Sequence, residues 1–272
     1  MNELISNSRN IPFKWEADGR IDPHVTSTTQ VFVAGTKLYK RGNRRFRYAF
    51  VGTGGLQSEF GACYSKKTIP DAVAPAQVGQ AGTAGSFQVT ITVGATAGVA
   101  GNGIIAVDEL IGGTVVVGNG TNQHPDNRCI LCNTSVASGG GACTLTLDDP
   151  LVTAVTVGTT NIETMMNPYG YLTSGNVTNS AYVTFLGMPA VTCAAGVWTW
   201  VQDRGPCWIT SDGLTAAAAS DRAVYFGPNG SVHSRTEITE GSHPVFQLAG
   251  YCIDASSSGS SNAPFVDLQL GS

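Results

Sequence analysis

Seven cysteines and four histidines are the residues of this 272-residue chain best equipped for chemistry, and their densest group is His124, Cys129, Cys132 and Cys143. Zinc takes four such ligands in a tetrahedron. The spacing matches no standard finger, however, and there is no second Cys-x-x-Cys. Residues three apart on a strand point to opposite faces, so Cys129 and Cys132 diverge unless the backbone turns. A hairpin brings Cys132 near Cys143, as packing or as a disulfide. The reading these residues favour is small buried thiols in a reducing compartment, with no metal and no cofactor.

Nucleophilic and acid–base chemistry find little support. No serine or cysteine sits in a recognisable elbow. His124 and His243 each precede a proline, a turn pattern, which leaves His24 and His233. "GTGG" at 52–55 and "GNG" at 101–103 and 118–120 are followed by no helix whose N-terminus would hold a phosphate. Asp108-Glu109 and Asp148-Asp149 are paired carboxylates. A glycosidase needs two carboxylates facing across a cleft, and neighbours on a strand face opposite ways. The expectation is a non-enzyme with no catalytic residues; a β-fold hydrolase is the least favoured reading.

Binding chemistry is more visible. "GTKLYKRGNRRFRYAFVG" carries Lys37, Lys40, Arg41, Arg44, Arg45 and Arg47, six of the fifteen basic residues, in a chain of net charge −4. A two-residue turn on Gly42-Asn43 pairs Tyr39 with Phe46 and Lys37 with Tyr48, leaving Lys40 opposite Arg45 and Leu38 opposite Arg47. One face of that hairpin packs aromatics; the other is a basic strip that gains from an acidic protein surface. The net acidity and the lack of a second basic patch argue against direct nucleic-acid contact. Trp198 and Trp200 share one face of a strand, where they cover an interface or, in the alternative, stack on a sugar. "QDRG" ends that strand, with Arg204 paired locally.

The elements that must position these residues are strands. Charged residues make up only 12% of the chain and glycines number 34, a composition for turns and for a surface covered by neighbours. "SFQVTITVGAT" alternates strictly, and "GGTVVVGNG", "RCILCNTS", "ACTLTLDD", "AVTVGTTNIETM", "SAYVTFLGMPAV", "GVWTWVQDRGPCWITSDG", "RAVYFGPNGSVHS", "HPVFQLAGYCIDA" and "PFVDLQLG" continue the pattern. Only "GLTAAAASD" has helical composition. The expected fold is all-β, of β-sandwich or barrel domains with little helix. Residues 1–34 read as an extended arm, 35–70 plus 166–272 as a β body, and 84–165 as an inserted β-sandwich or barrel. The start has no secretory pattern and no apolar run approaches ~20 residues. Synthesis in the cytosol, without a membrane, is the expectation.

The stretch from Gly35 to Gly52, together with "TLTLDDPLVTAV", "NPYGYL" and "GVWTWVQDRGPCWITSDG", resembles in content and order a family of tailed-phage virion proteins known mainly from environmental phage genomes. The final third resembles, more loosely, small β-barrel proteins that decorate phage heads. The resemblance implies a structural role on the capsid surface, made in the host cytoplasm, as a cement or decoration protein. Its implied partners are the major capsid protein and its own copies, as a trimer or dimer, with the arm draped over neighbouring subunits. The docking residues expected from the two readings together are Lys37, Lys40, Arg41, Arg44, Arg45, Arg47, Trp198 and Trp200. The runner-up is a tail-associated or fibre protein with a carbohydrate-binding face. This chain departs from the family in its extra cysteines, in "TNQHPDNRC", and in "RGNRR", where relatives are acidic or neutral.

Overall fold

The computed structural model describes residues 16–17, 20–64, 68–69, 76–77, 82–95, 102–119, 126–157, 160–174, 184–211, 222–227, 229–234, 247–254 and 264–271. Among these the fold is all-β, with a single 3-10 turn at Pro168–Gly170. The segment of helical composition lies outside the described residues, as do His124 and His243.

The chain runs through β1 (Glu16–Ala17), β2 (Lys37–Lys40), β3 (Arg44–Phe50) and β4 (Ala62–Tyr64). It then crosses into a second unit, Lys66–Gly170, with β5 (Thr68–Ile69), β6 (Ala76–Gln77), β7 (Gln88–Val93), β8 (Thr114–Asn119), β9 (Asp126–Asn133), β10 (Gly141–Leu147) and β11 (Thr160–Met165). It returns through β12 (Leu172–Ser174), β13 (Phe185–Pro189), β14 (Trp198–Trp208), β15 (Ala223–Phe226), β16 (Val232–Ser234), β17 (Gln247–Asp254) and β18 (Phe265–Gln269). Among the described residues one unit is therefore a single continuous stretch, and the other is assembled from Lys14–Ser65 and Tyr171–Ser272. The inserted unit is wider than 84–165, because β5 and β6 both pair with β11.

The continuous unit is a seven-stranded sheet in the order β5-β11-β8-β9-β10-β7, with β6 also on β11. Its turning point is β9. The first half, Asp126 to Cys129, pairs with β8; Ile130, Cys132 and Asn133 pair with β10, across a bulge. A strand that changes partners halfway bends the sheet, and bulges are where such corners form. Alternation along β7 and β10 buries Val89, Ile91, Val93, Cys143, Leu145 and Leu147, which meet Val115, Val117, Ile130 and Ile162 in one aliphatic core. Phe87, expected on the same buried face, is about half exposed.

The discontinuous unit is an eleven-stranded sheet along β1-β2-β3-β14-β18-β17-β15-β16, with β4, β12 and β13 branching from β14. Both sheets curl into half-barrels. The larger sheet carries a main core of Phe185, Ile209, Val224, Phe226, Val266 and Leu268. A second cluster is Leu38, Phe46, Tyr48 and Trp200, with Ile21 and Phe32 packed against them. The described part of the arm is thus a lid on its own unit. Ser27 exchanges both backbone hydrogen bonds with Trp198, at 2.9 and 2.7 Å, and the Val31 amide donates to the Tyr48 hydroxyl at 3.2 Å. Residues 20–34 of the expected arm thus pack on their own sheet; residues 1–15 lie outside the described residues.

Candidate functional site

The basic hairpin forms, but one residue out of the expected register. Lys37 faces Arg47, Leu38 faces Phe46, Tyr39 faces Arg45 and Lys40 faces Arg44. The loop is three residues, 41–43, with Gly42 at φ 78° and Asn43 at φ 59°. Three-residue hairpin loops end in such a left-handed residue, and glycine and asparagine are the residues that tolerate it. A one-residue slip turns a strand over. Leu38 thereby joins Phe46 and Tyr48 under the arm, while Tyr39 and Lys37 move to the side of Arg45 and Arg47.

That side is not a strip open to a partner along its length. β14 lies against β3, and Asp203 is the extra residue of a bulge between Gln202 and Arg204. Its carboxylate, 0% exposed, accepts from Arg45 Nε at 2.9 and 3.1 Å and from Arg47 Nε at 2.9 Å. Arg45 Nη2 donates onward to the carbonyls of Leu270 and Gly271 at 3.2 and 2.8 Å, and Arg47 Nη1 to Gly35 at 3.2 Å. The Gln202 amide satisfies the bulge itself, donating to the carbonyls of Arg204, Gly205 and Pro206 at 3.0–3.1 Å. "QDRG" is therefore a bulge inside an eleven-residue strand, not its end.

Arg45 and Arg47 are accordingly interior struts. Two guanidiniums on one buried carboxylate neutralise a charge that would otherwise cost several kcal/mol to desolvate. Their assignment as docking residues is corrected on that ground. Trp200 is corrected likewise: it is 2% exposed, with ring centroids 5.0 Å from Tyr48 and 5.5 Å from Phe32. Trp198 is half-buried and stacks on Tyr48 at 5.2 Å and 9°. Burial pushes the Tyr48 phenol up to about 12. The two tryptophans cover an interface inside the molecule, between sheet and arm.

Four cations remain toward solvent. Arg41 is exposed, and Lys37, Lys40 and Arg44 are half-buried. Arg44 Nε donates to the Arg41 carbonyl at 3.3 Å, holding the loop. The tip also presses on β14: a Cβ at Gly205, φ 90°, would stand 2.6 Å from the Asn43 carbonyl oxygen and 2.9 Å from Arg44 Cα. Only glycine allows this approach. The tip's position is thus fixed by backbone contact and by Asp203.

The other candidates take structural places. Around the β9 bulge Ile130 and Asn133 are buried while Cys129 and Cys132 are both half-buried, so the bulge breaks the alternation that would have set the two thiols on opposite faces. Cys132 stands opposite Thr146, not Cys143. All seven cysteines are free thiols. Burial raises Cys143 to about 11 and Cys207 to about 12. Among the described residues no three His, Cys, Asp or Glu side chains gather as a metal cage. Asp148 accepts from the amides of Cys129 and Asp149, and Glu109 from the amide of Ala106. These carboxylates close turns. His233 is buried with Nε2 3.2 Å from the Ser231 hydroxyl, and exposed His24 pairs with Asp22 at 2.9 Å.

Sequence reasoning gave no role to Trp208, 56% exposed and packed on Phe265 at 5.5 Å. Cys207 and Ile209 flank it and are buried, so alternation around "CWI" did place Trp208 outward.

Among the described residues no helix is long and apolar enough to cross a membrane. Comparison with known proteins returns nothing: the chain matches no family model, no curated protein and no solved structure.

Proposed function

We propose that this chain is a structural protein of a tailed-phage head, a capsid cement or decoration protein that binds and stabilises the assembled shell. The observation that carries the reading is the hairpin tip. Lys40, Arg41 and Arg44, with Lys37 behind them, stand on a loop locked by the Asp203 triad and by the Gly205 contact. A rigid cationic tip on a chain of net charge −4 fits a repeated acidic surface, because little side-chain and backbone freedom is lost on docking. The partner is the major capsid protein. Many weak, identical contacts over a shell add up without any one tight site.

The test is binding of the purified chain to expanded, undecorated shells across a salt series. Binding weakens as salt screens the tip, and the double variant Arg41→Glu/Arg44→Glu loses it while keeping its fold. Retention of full binding by that variant at low salt removes the tip from the reading. No binding by the natural chain removes the reading itself. The sugar-binding alternative rested on Trp198 and Trp200, whose rings are engaged with Tyr48 and Phe32, and it has no other support.

A further inference from the structure

The outer face of β14, β18, β17 and β15 gathers four of the eleven exposed large apolar residues among the described ones. The register sets Trp208 beside Phe265, Pro206 beside Asp267 beside Tyr251 beside Ala223, and Tyr225 beside Leu248. Bulges in β17, one opposite Val224/Tyr225 of β15 and one at Cys252/Asp254, leave Leu248, Tyr251 and Ile253 all exposed, at 37%, 46% and 48%. Trp208 completes them at 56%. With strands ~4.8 Å apart and side chains on one face ~6.7 Å apart along each strand, these residues form a continuous patch. Isolated exposed apolar residues are ordinary; a contiguous patch of this kind marks an interaction site.

Two charges sit in it. Arg204 is exposed on β14 two residues before Pro206, and Asp267 is half-buried in the neighbouring position on β18. Among the described residues neither has an ion-pair partner; Asp267 accepts only from Gln269 Nε2, at 3.2 Å. We infer that this face pairs with the same face of a second copy about a two-fold axis between Arg204 and Asp267. In that arrangement each arginine meets the partner copy's aspartate, and the rings and aliphatic side chains around them are buried. A surface that carries both signs diagonally is complementary to itself, which is what an isologous contact requires. A sugar fits less well, since Leu248 and Ile253 offer no ring and the Trp208 and Phe265 planes are tilted by 49°.

The inference does not depend on the shell-binding reading, and it is tested on the free chain. Sedimentation equilibrium of the purified protein across a concentration series reads a monomer–dimer constant. Trp208→Ser and Arg204→Asp each weaken dimerisation by roughly 30-fold or more, as loss of a central anchor does. The charge-swapped double variant Arg204→Asp/Asp267→Arg restores it, and near-ultraviolet circular dichroism certifies each variant as folded. A chain monomeric at every concentration overturns the inference. So does a dimer indifferent to Trp208→Ser and Arg204→Asp, or a monomer whose Trp208 emission responds to soluble polysaccharide. Shell binding measured on the monomeric Trp208→Ser variant separates the two readings, because the hairpin tip is untouched.

Discussion

The continuous unit and the discontinuous one enclose their cores with different chemistry. The first buries aliphatic side chains from β7 to β11, and its described ion pair, Asp126 with Arg128 at 3.4 Å, joins residues two apart on one strand. The second buries Asp203 between two arginines that precede it by 158 and 156 residues. The continuous unit draws all its described strands, β5 to β11, from one stretch of chain. The split unit must hold β2 and β3 against β14 and β18 after an excursion of a hundred residues. Hydrophobic burial rejects a one-residue slip, which turns a strand over, but a two-residue slip keeps the same face inward; a charge buried among fixed partners admits one register. The split unit thus uses charge to fix which strand lies where.

Removing the charge is the severest way to break this contrast. Asp203→Ala leaves two guanidiniums buried without a carboxylate and destabilises the split unit by about 3–5 kcal/mol. Hydrogen exchange reads it as faster amide turnover in β3, β14 and β18, with β7–β10 unchanged. Leu145→Ala, which empties a fully buried site in the other core, costs about 2–4 kcal/mol and accelerates β7–β10 alone. If either variant loosens both units equally, the two do not differ as described.

Alkali separates them more gently. Tyr48 ionises near 12 when folded and near 10 when unfolded, so its contribution is intact below pH 10 and is lost as pH rises toward 12. Cys207 acts in the same direction from the ordinary thiol value of 9 up to about 12, and Cys143 in the other unit from 9 up to about 11. Denaturant midpoints followed by Trp emission, to which β14 contributes three of the four tryptophans, therefore fall throughout the range to pH 12. The loss contributed by Cys143 is complete near pH 11. The smallest effect expected is at Thr164 in β11, whose buried hydroxyl finds no hydrogen-bond partner among the described residues. Thr164→Val is neutral or stabilising by up to about 1 kcal/mol in a denaturation curve.

The strands of both units were legible because alternation is a local signal: Val89, Ile91 and Val93 face inward as their spacing demands. The hairpin register was not. Gly42-Asn43 suits a two-residue turn and a three-residue loop equally well, and the choice is made by Leu38 and Phe46 seeking the same buried face. The fate of the basic residues was hidden for a deeper reason. Nothing near Arg45 and Arg47 announces Asp203, which reaches them only through a bulge in a strand far along the chain. The run of six cations was visible in the sequence; that Arg45 and Arg47 within it are internal struts was a property of the assembled sheet.

The contact of Gly205 with Asn43 has a consequence for anyone wishing to retune the molecule. It makes the loop's aim adjustable independently of its charge. Placing alanine at 205 pushes the turn away from β14 while leaving every cation in the chain. A loss of partner recognition in such a variant would measure the value of direction alone.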